Sequence, residues 1–209
     1  MERVSSDVYR VMTVCTGNIC RSPIAEIVLR DRFEAAGLGD RVVVDSSGVS
    51  DEEHGNPVDR RARRVLAEHG YDTGDGHRAH QVTAAEVAGR DLLLPMTAHH
   101  ARALRRLAAR AGFAGDRLTG DRSGGDSDAG RFEADGRGPV IRMYRSFDPD
   151  APRVGPGESE HVLDVDDPWY GGMEDFEQCL AEIEAGADGV VEFVRAELAR
   201  ADGAAARPA

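Results

Sequence analysis

Apolar positions along this chain of 209 residues follow two rhythms. Val11 to Val14, reached through Tyr9, is a brief apolar run of the kind that a parallel sheet buries. Val42 to Ser46 and Asp91 to Met96 repeat it, and a fourth short strand is expected just before Arg145-Ser146-Phe147. Between these runs the spacing becomes helical. Ala25, Val28, Leu29, Phe33 and Ala36 recur at helical intervals and stop at Gly37. Pro57 to His69 predicts a helix ended by Gly70, Thr83 to Ala88 a short one, and Ala98 to Ala111 another. A last helix from about Met173 to Ala199 places Phe176, Leu180, Ile183, Ala187, Val190, Val194 and Leu198 on one face.

Alternating strands and helices predict an α/β fold, a single-domain open parallel four-stranded sheet with helices on both faces. That domain is expected over residues 1–200, with no internal repeat. Residues 115–139 are rich in Gly, Asp, Ser and Arg and too poor in apolar side chains to bury themselves, which predicts a mobile loop. Residues 148–161 are similar but shorter, and 201–209 are expected to fray.

Charge and composition narrow the chemistry. The net charge of -12 argues against nucleic acid as a bulk partner. Every one of the 26 basic side chains is arginine, which excludes a Gly-Lys-Ser/Thr nucleotide loop and Schiff-base catalysis, and the composition suggests a GC-rich bacterial genome. Three cysteines, no signal-like N-terminus and no membrane-length apolar stretch lead us to expect a cytoplasmic protein without membrane insertion, and a monomer is expected as well.

The most informative residues lie where the first strand meets the first helix. Cys15 and Arg21 stand six residues apart in Cys15-Thr16-Gly17-Asn18-Ile19-Cys20-Arg21-Ser22-Pro23. Cysteine becomes a good nucleophile when its pKa falls, and positive potential from a helix N-terminus and an arginine is the usual cause. The loop can aim successive backbone N–H groups at one point, and Arg21 adds a planar fork for two phosphate oxygens. Ser22 is expected to cap the helix and Pro23 to open it. The nucleophile would thus sit on a phosphate loop at the carboxyl end of a strand, where open α/β sheets bind ligands. The competing reading, a turn holding two inert buried cysteines, leaves the added Thr-Gly-Asn and Ser-Pro unexplained.

This segment resembles the N-terminal signature of the low-molecular-weight protein tyrosine phosphatases, matching it from Cys15 to Pro23. The family's second signature, an Asp-Pro followed by aromatics, appears as Asp167-Pro168-Trp169-Tyr170. The resemblance extends from about Tyr9 to Arg200, with residues 115–139 as an insertion. It implies hydrolysis of phosphotyrosine through a phosphocysteine intermediate, with no metal or cofactor.

Cys15 would be the nucleophile. Arg21 and the loop Thr16, Gly17, Asn18, Ile19 and Cys20 would hold the phosphoryl oxygens, and Asp167 would be the general acid and later the base. Asp164, Asp166, Glu174 and Asp175 are rivals to Asp167, but Pro168 restricts the backbone of the residue before it and so fixes that side chain's direction. Trp169 and Tyr170 are expected as pocket wall. The resemblance also implies that Ser22 hydrogen-bonds the thiolate, that Asn18 shapes the loop with Ser46 as its partner, and that His77 stands nearby. It further implies a reversible Cys15–Cys20 disulfide; Cys179 is expected in the core.

Two departures bear on substrate choice: Glu52 stands where the family often has an apolar wall residue, and Thr97 where it has an aspartate. The alternatives are a protein-arginine phosphatase, a thioredoxin-linked arsenate reductase and a non-catalytic phosphate-binding module. Among relatives that act on phosphoarginine a threonine tends to replace Ile19. Arsenate reduction needs further relay cysteines, and only Cys179 follows. A binding module would not need Cys15, Arg21 and Asp167 together. A phosphotyrosine protein, a bacterial tyrosine kinase among the family-level candidates, is the expected partner.

Overall fold

A computed structural model describes residues 8–113, 138–155 and 157–205. Four parallel strands form one sheet in the order β2-β1-β3-β4, with β1 at Tyr9–Cys15, β2 at Val42–Gly48, β3 at Leu92–Pro95 and β4 at Val140–Ile141. The register runs Tyr9 to Val42 and Cys15 to Gly48 on one side of β1, and Val11 to Leu92 on the other. The fourth strand does precede Arg145, but it has only two residues.

Because side chains alternate across a strand, the central β1 feeds two cores. Val11 and Cys15 face a cluster built with α1 (Arg21–Ala35), α2 (Arg60–Glu68) and α5 (Met173–Ala205). Met12 and Val14 face a smaller one that includes Val87 of α3 (Ala84–Ala88) and Leu104 of α4 (Ala98–Arg110). Helices thus cover both faces. Sealing a large side chain such as Phe33 or Phe176 contributes about 1.5–3 kcal/mol. Gly189 lets α5 close on the turn at Tyr144–Phe147, since a methyl group there would run into the Phe147 carbonyl oxygen.

Several boundaries differ from the pattern. The second helix starts at Arg60 rather than Pro57, because the Asp59 carboxylate accepts from the Arg61 amide and caps it there. Thr83 and Glu86 form a capping box on α3. The last helix continues past Ala199 to Ala205, and Asp202 in its last turns takes both guanidinium nitrogens of Arg41 at 2.9 Å. Most of the expected loop at 115–139 lies outside the described residues, as do 206–209. Phe113 and Gly138, on either side of that stretch, are in contact: a methyl group on Gly138 would lie 2.7 Å from Phe113 Cβ. In segment 148–161, Glu160 is gripped by Arg105 at 2.6 and 2.7 Å. Among the described residues no helix is long and apolar enough to cross a membrane.

Candidate active site

β1 delivers Cys15 to the carboxyl edge of the sheet, and the next five residues curl into the N-terminus of α1. The surroundings tie down the carbonyl side of this loop. Val49 and Ser50 donate to the carbonyls of Cys15 and Thr16, Asp59 donates to that of Ile19, and His77 Nε2 donates to that of Asn18 at 2.7 Å. With those oxygens turned outward, the N–H side of the peptides faces the loop's interior, where the Asn18 amide points at Cys15 Sγ from 3.3 Å. Asn18 itself takes φ 60°, and among the described residues no other non-glycine has a positive φ. Asparagine tolerates that left-handed conformation better than most residues. Gly48 closes the other wall, because a Cβ there would come 2.5 Å from the Thr16 carbonyl oxygen.

A chain of buried polar groups runs behind the loop. Asn18 Nδ2 donates to Ser22 Oγ (3.1 Å) and Ser46 Oγ (2.9 Å), while its Oδ1 accepts from the His80 amide. Ser46 donates onward to Glu26, which is paired with Arg30. At the other end Ser22 Oγ lies 3.0 Å from Cys15 Sγ. Ser22 is therefore not the helix cap. Cys20 holds that position without a side-chain bond, and the Ser22 hydroxyl is turned back onto the sulfur and the Ser47 carbonyl. Burial, with Asp59 and Cys15 nearby, pushes the Cys20 thiol far up, and burial does the same to Cys179; both stay protonated. All three cysteines are free and buried.

Arg21 is 4% exposed and spreads its fork across the site. Nη1 donates to the Val165 carbonyl at 3.1 Å, and Nη2 to Asp167 Oδ2 at 2.6 Å and Thr16 Oγ1 at 3.4 Å. Asp167 also accepts from the Trp169 amide, which caps the short turn Pro168–Tyr170 and holds the carboxylate toward Arg21. Two of its rivals are committed elsewhere. Asp164 caps α4 through the Ala98 amide and binds His161, and Asp175 caps the start of α5 through Gly172. Asp166 and Glu174 are exposed. Trp169 is 40% exposed, whereas Tyr170 at 91% projects into solvent.

Sequence reasoning missed four neighbours. Arg61 donates to the carbonyls of Trp169 and Gly171, stacks over Trp169 and Phe176, and is ion-paired to Asp59. It thereby clamps the Asp167 loop to α2. Glu26 could have been noticed as a carboxylate among the apolar positions of α1. His100 is buried against Thr16. At the rim the acidic residue against the loop is Glu53, not Glu52: a methyl group on Gly17 would lie 2.8 Å from Glu53 Cγ, while Glu52 is exposed. Thr97 caps α4 through the His100 amide.

The arrangement is a buried sulfur that receives the Asn18 amide, a buried guanidinium at the end of the same loop and a carboxyl group bonded to that guanidinium. It suits a tetrahedral oxyanion ester whose leaving oxygen needs a proton. Residues 10–114 match the family model for low molecular weight phosphotyrosine protein phosphatase. The chain is 40% identical to the low molecular weight protein-tyrosine-phosphatase of Streptomyces coelicolor, covering 91% of this chain and 96% of that protein. Identity is also 40% to the low molecular weight protein-tyrosine phosphatase A of Mycobacterium tuberculosis, over 93% and 97% of the two chains. Among solved structures, YfkJ from Bacillus subtilis aligns with a TM-score of 0.68 at 26% identity, covering 94% of this chain and 99% of that one.

Proposed function

This chain belongs to the low-molecular-weight protein-tyrosine phosphatases, and from that premise we propose that it hydrolyses phosphotyrosine by two in-line displacements at phosphorus. Cys15 Sγ attacks the phosphorus atom while the bond to the phenolic oxygen breaks, and Asp167 gives that oxygen its proton. Arg21 and the loop amides carry the charge on the three equatorial oxygens. In the second step Asp167 takes a proton from water as the water oxygen displaces sulfur from the phosphocysteine. The Ser22 hydroxyl, 3.0 Å from the sulfur, stabilises the departing thiolate. Trp169 offers an aromatic wall to the phenol ring.

One observation carries this reading: residues 15, 21 and 167 converge, with Asp167 Oδ2 2.6 Å from the guanidinium that lies beside the Cys15 loop. Cys15→Ser should abolish turnover. Asp167→Asn should slow phenyl phosphate by about 100-fold or more and 4-nitrophenyl phosphate far less, because a good leaving group needs no acid. Equal slowing of both esters would remove Asp167 from the acid's role. Phosphoarginine and arsenate with a thioredoxin system complete the substrate panel, and turnover of either in preference to phosphotyrosine would redirect the assignment.

A further inference from the structure

His100, in the first turn of α4, is 1% exposed, and none of the steps above uses it. Its Nε2 lies 3.0 Å from Thr16 Oγ1, whose other neighbour is Arg21 Nη2 at 3.4 Å. Its Nδ1 is buried and has no hydrogen-bond partner among the described residues. Burial, reinforced by Arg21 and His99, lowers the ring's pKa to about 3, so the imidazole is neutral and carries one proton. On Nδ1 that proton would strand an N–H donor in the interior. On Nε2 it leaves only a lone pair unpaired, a smaller loss, and gives Thr16 a donor. The proton therefore belongs on Nε2.

The consequence falls on Thr16. Both acceptor sites of its oxygen are then taken, one by His100 and one by Arg21, and its hydroxyl hydrogen must point away from both. Thr16 is exposed and directly follows Cys15, so the remaining direction for that hydrogen is open to solvent beside the loop. We propose that the Thr16 hydroxyl is a further donor to a phosphoryl oxygen of the substrate, and that His100 is the positioning residue that fixes its orientation. Without His100 the hydroxyl could turn its hydrogen inward and present a lone pair to the phosphate, which repels. The proposal rests on the phosphatase reading and adds to it a residue from the opposite face of the sheet.

The test compares wild type, Thr16→Val, His100→Leu, His100→Gln and the Thr16→Val/His100→Leu double variant. Steady-state kinetics with 4-nitrophenyl phosphate and competitive inhibition by inorganic phosphate are measured for each, with thermal unfolding alongside. Losing a hydrogen bond to a charged group should raise the phosphate inhibition constant of Thr16→Val about tenfold. His100→Leu should show most of that loss, and His100→Gln, whose amide nitrogen can reach the same place, should recover it. The double variant should be no worse than Thr16→Val, because His100 acts only through that hydroxyl.

An inhibition constant for Thr16→Val within about twofold of wild type would overturn the proposal, since a hydrogen bond to charge is worth more than that. Additive losses in the double variant would also overturn it, by making His100 a structural residue. If His100→Leu fails to fold, Thr16→Val and His100→Gln still decide. A wild type that neither turns over the ester nor binds phosphate would overturn the phosphatase reading and this proposal together, whereas an active wild type with an unaffected Thr16→Val overturns this proposal alone.

Discussion

Replacing Asn18 with alanine tests how the loop behind Cys15 is held. The side chain is completely buried and makes three hydrogen bonds, donating to Ser22 and Ser46 and accepting from the His80 amide. At about 1 kcal/mol net for each buried bond, their loss amounts to about 3 kcal/mol. Alanine at φ 60° adds about 1 kcal/mol, because its Cβ crowds the following carbonyl in the left-handed region. The sum of about 4 kcal/mol should lower the melting temperature by roughly 8–16 °C in a domain of this size. Circular dichroism melts of Asn18→Ala and Ser46→Ala measure it. The serine variant breaks only the outer links, to Asn18 and Glu26, and should cost about 1–2 kcal/mol. Activity should fall with Asn18→Ala as well, since Ser22 loses the donor that orients its hydroxyl beside the sulfur. A melting temperature within about 3 °C of wild type would refute the reasoning, because it would mean that water replaces the network at little cost.

Four further outcomes are expected. Gly48→Ala should cost more than about 2 kcal/mol and most of the activity, since its Cβ meets backbone that cannot yield; a native-like melt would show that the loop relaxes. Arg61→Met keeps the apolar stem over Phe176 but loses the bonds to the Trp169 and Gly171 carbonyls. It should slow phenyl phosphate more than 4-nitrophenyl phosphate, and equal effects would mean that the acid loop holds itself. At Asp59 burial alone would raise the carboxyl's pKa, but the bonds from Arg61 outweigh it and hold the folded value below the usual 3.8. The stabilisation is thus present above the unfolded value and lost as pH falls through the folded one, so the melting-temperature gap between wild type and Asp59→Asn should be wide at neutral pH and narrow steadily as acid carries the carboxyl through its folded value. Glu53→Gln should tighten inhibition by phosphate about twofold to threefold through lost repulsion, and Glu52→Gln should leave it unchanged.

What could be read from the chain was local. Val11 to Val14 marked a buried strand because both its neighbours in the sheet are parallel, and the loop signature placed Cys15 and Arg21 together because only six residues separate them. The alternating pattern likewise anticipated helices on both faces, which the two cores on either side of β1 supply. Ser22 misled only as a cap, because serine before proline is a common one; its place beside the Cys15 sulfur came from the family signature and not from any local pattern. Arg61 was invisible for a related reason: its carbonyl partners lie 108 and 110 positions away, and carbonyls carry no sequence signal. His100 sits 84 residues from Thr16 and resembled an ordinary residue in a helix's first turn. Glu53 and Glu52 differ by one position within a turn, where spacing does not say which carboxylate lies against the loop.

The contact between Phe113 and Gly138 has a consequence for how this domain can change. The polypeptide departs from the far side of the sheet and returns at the same spot, so the core experiences that junction as already closed. Whatever is spliced between those two points need satisfy no span, and doubling its length raises only a closure entropy of about 0.6 kcal/mol. Cys15 ends β1 whereas this junction leads into β4, with β3 between them. A change of length between those two points should therefore leave the residues around Cys15 undisturbed, and a fluorescent or affinity module could be seated there by the same logic.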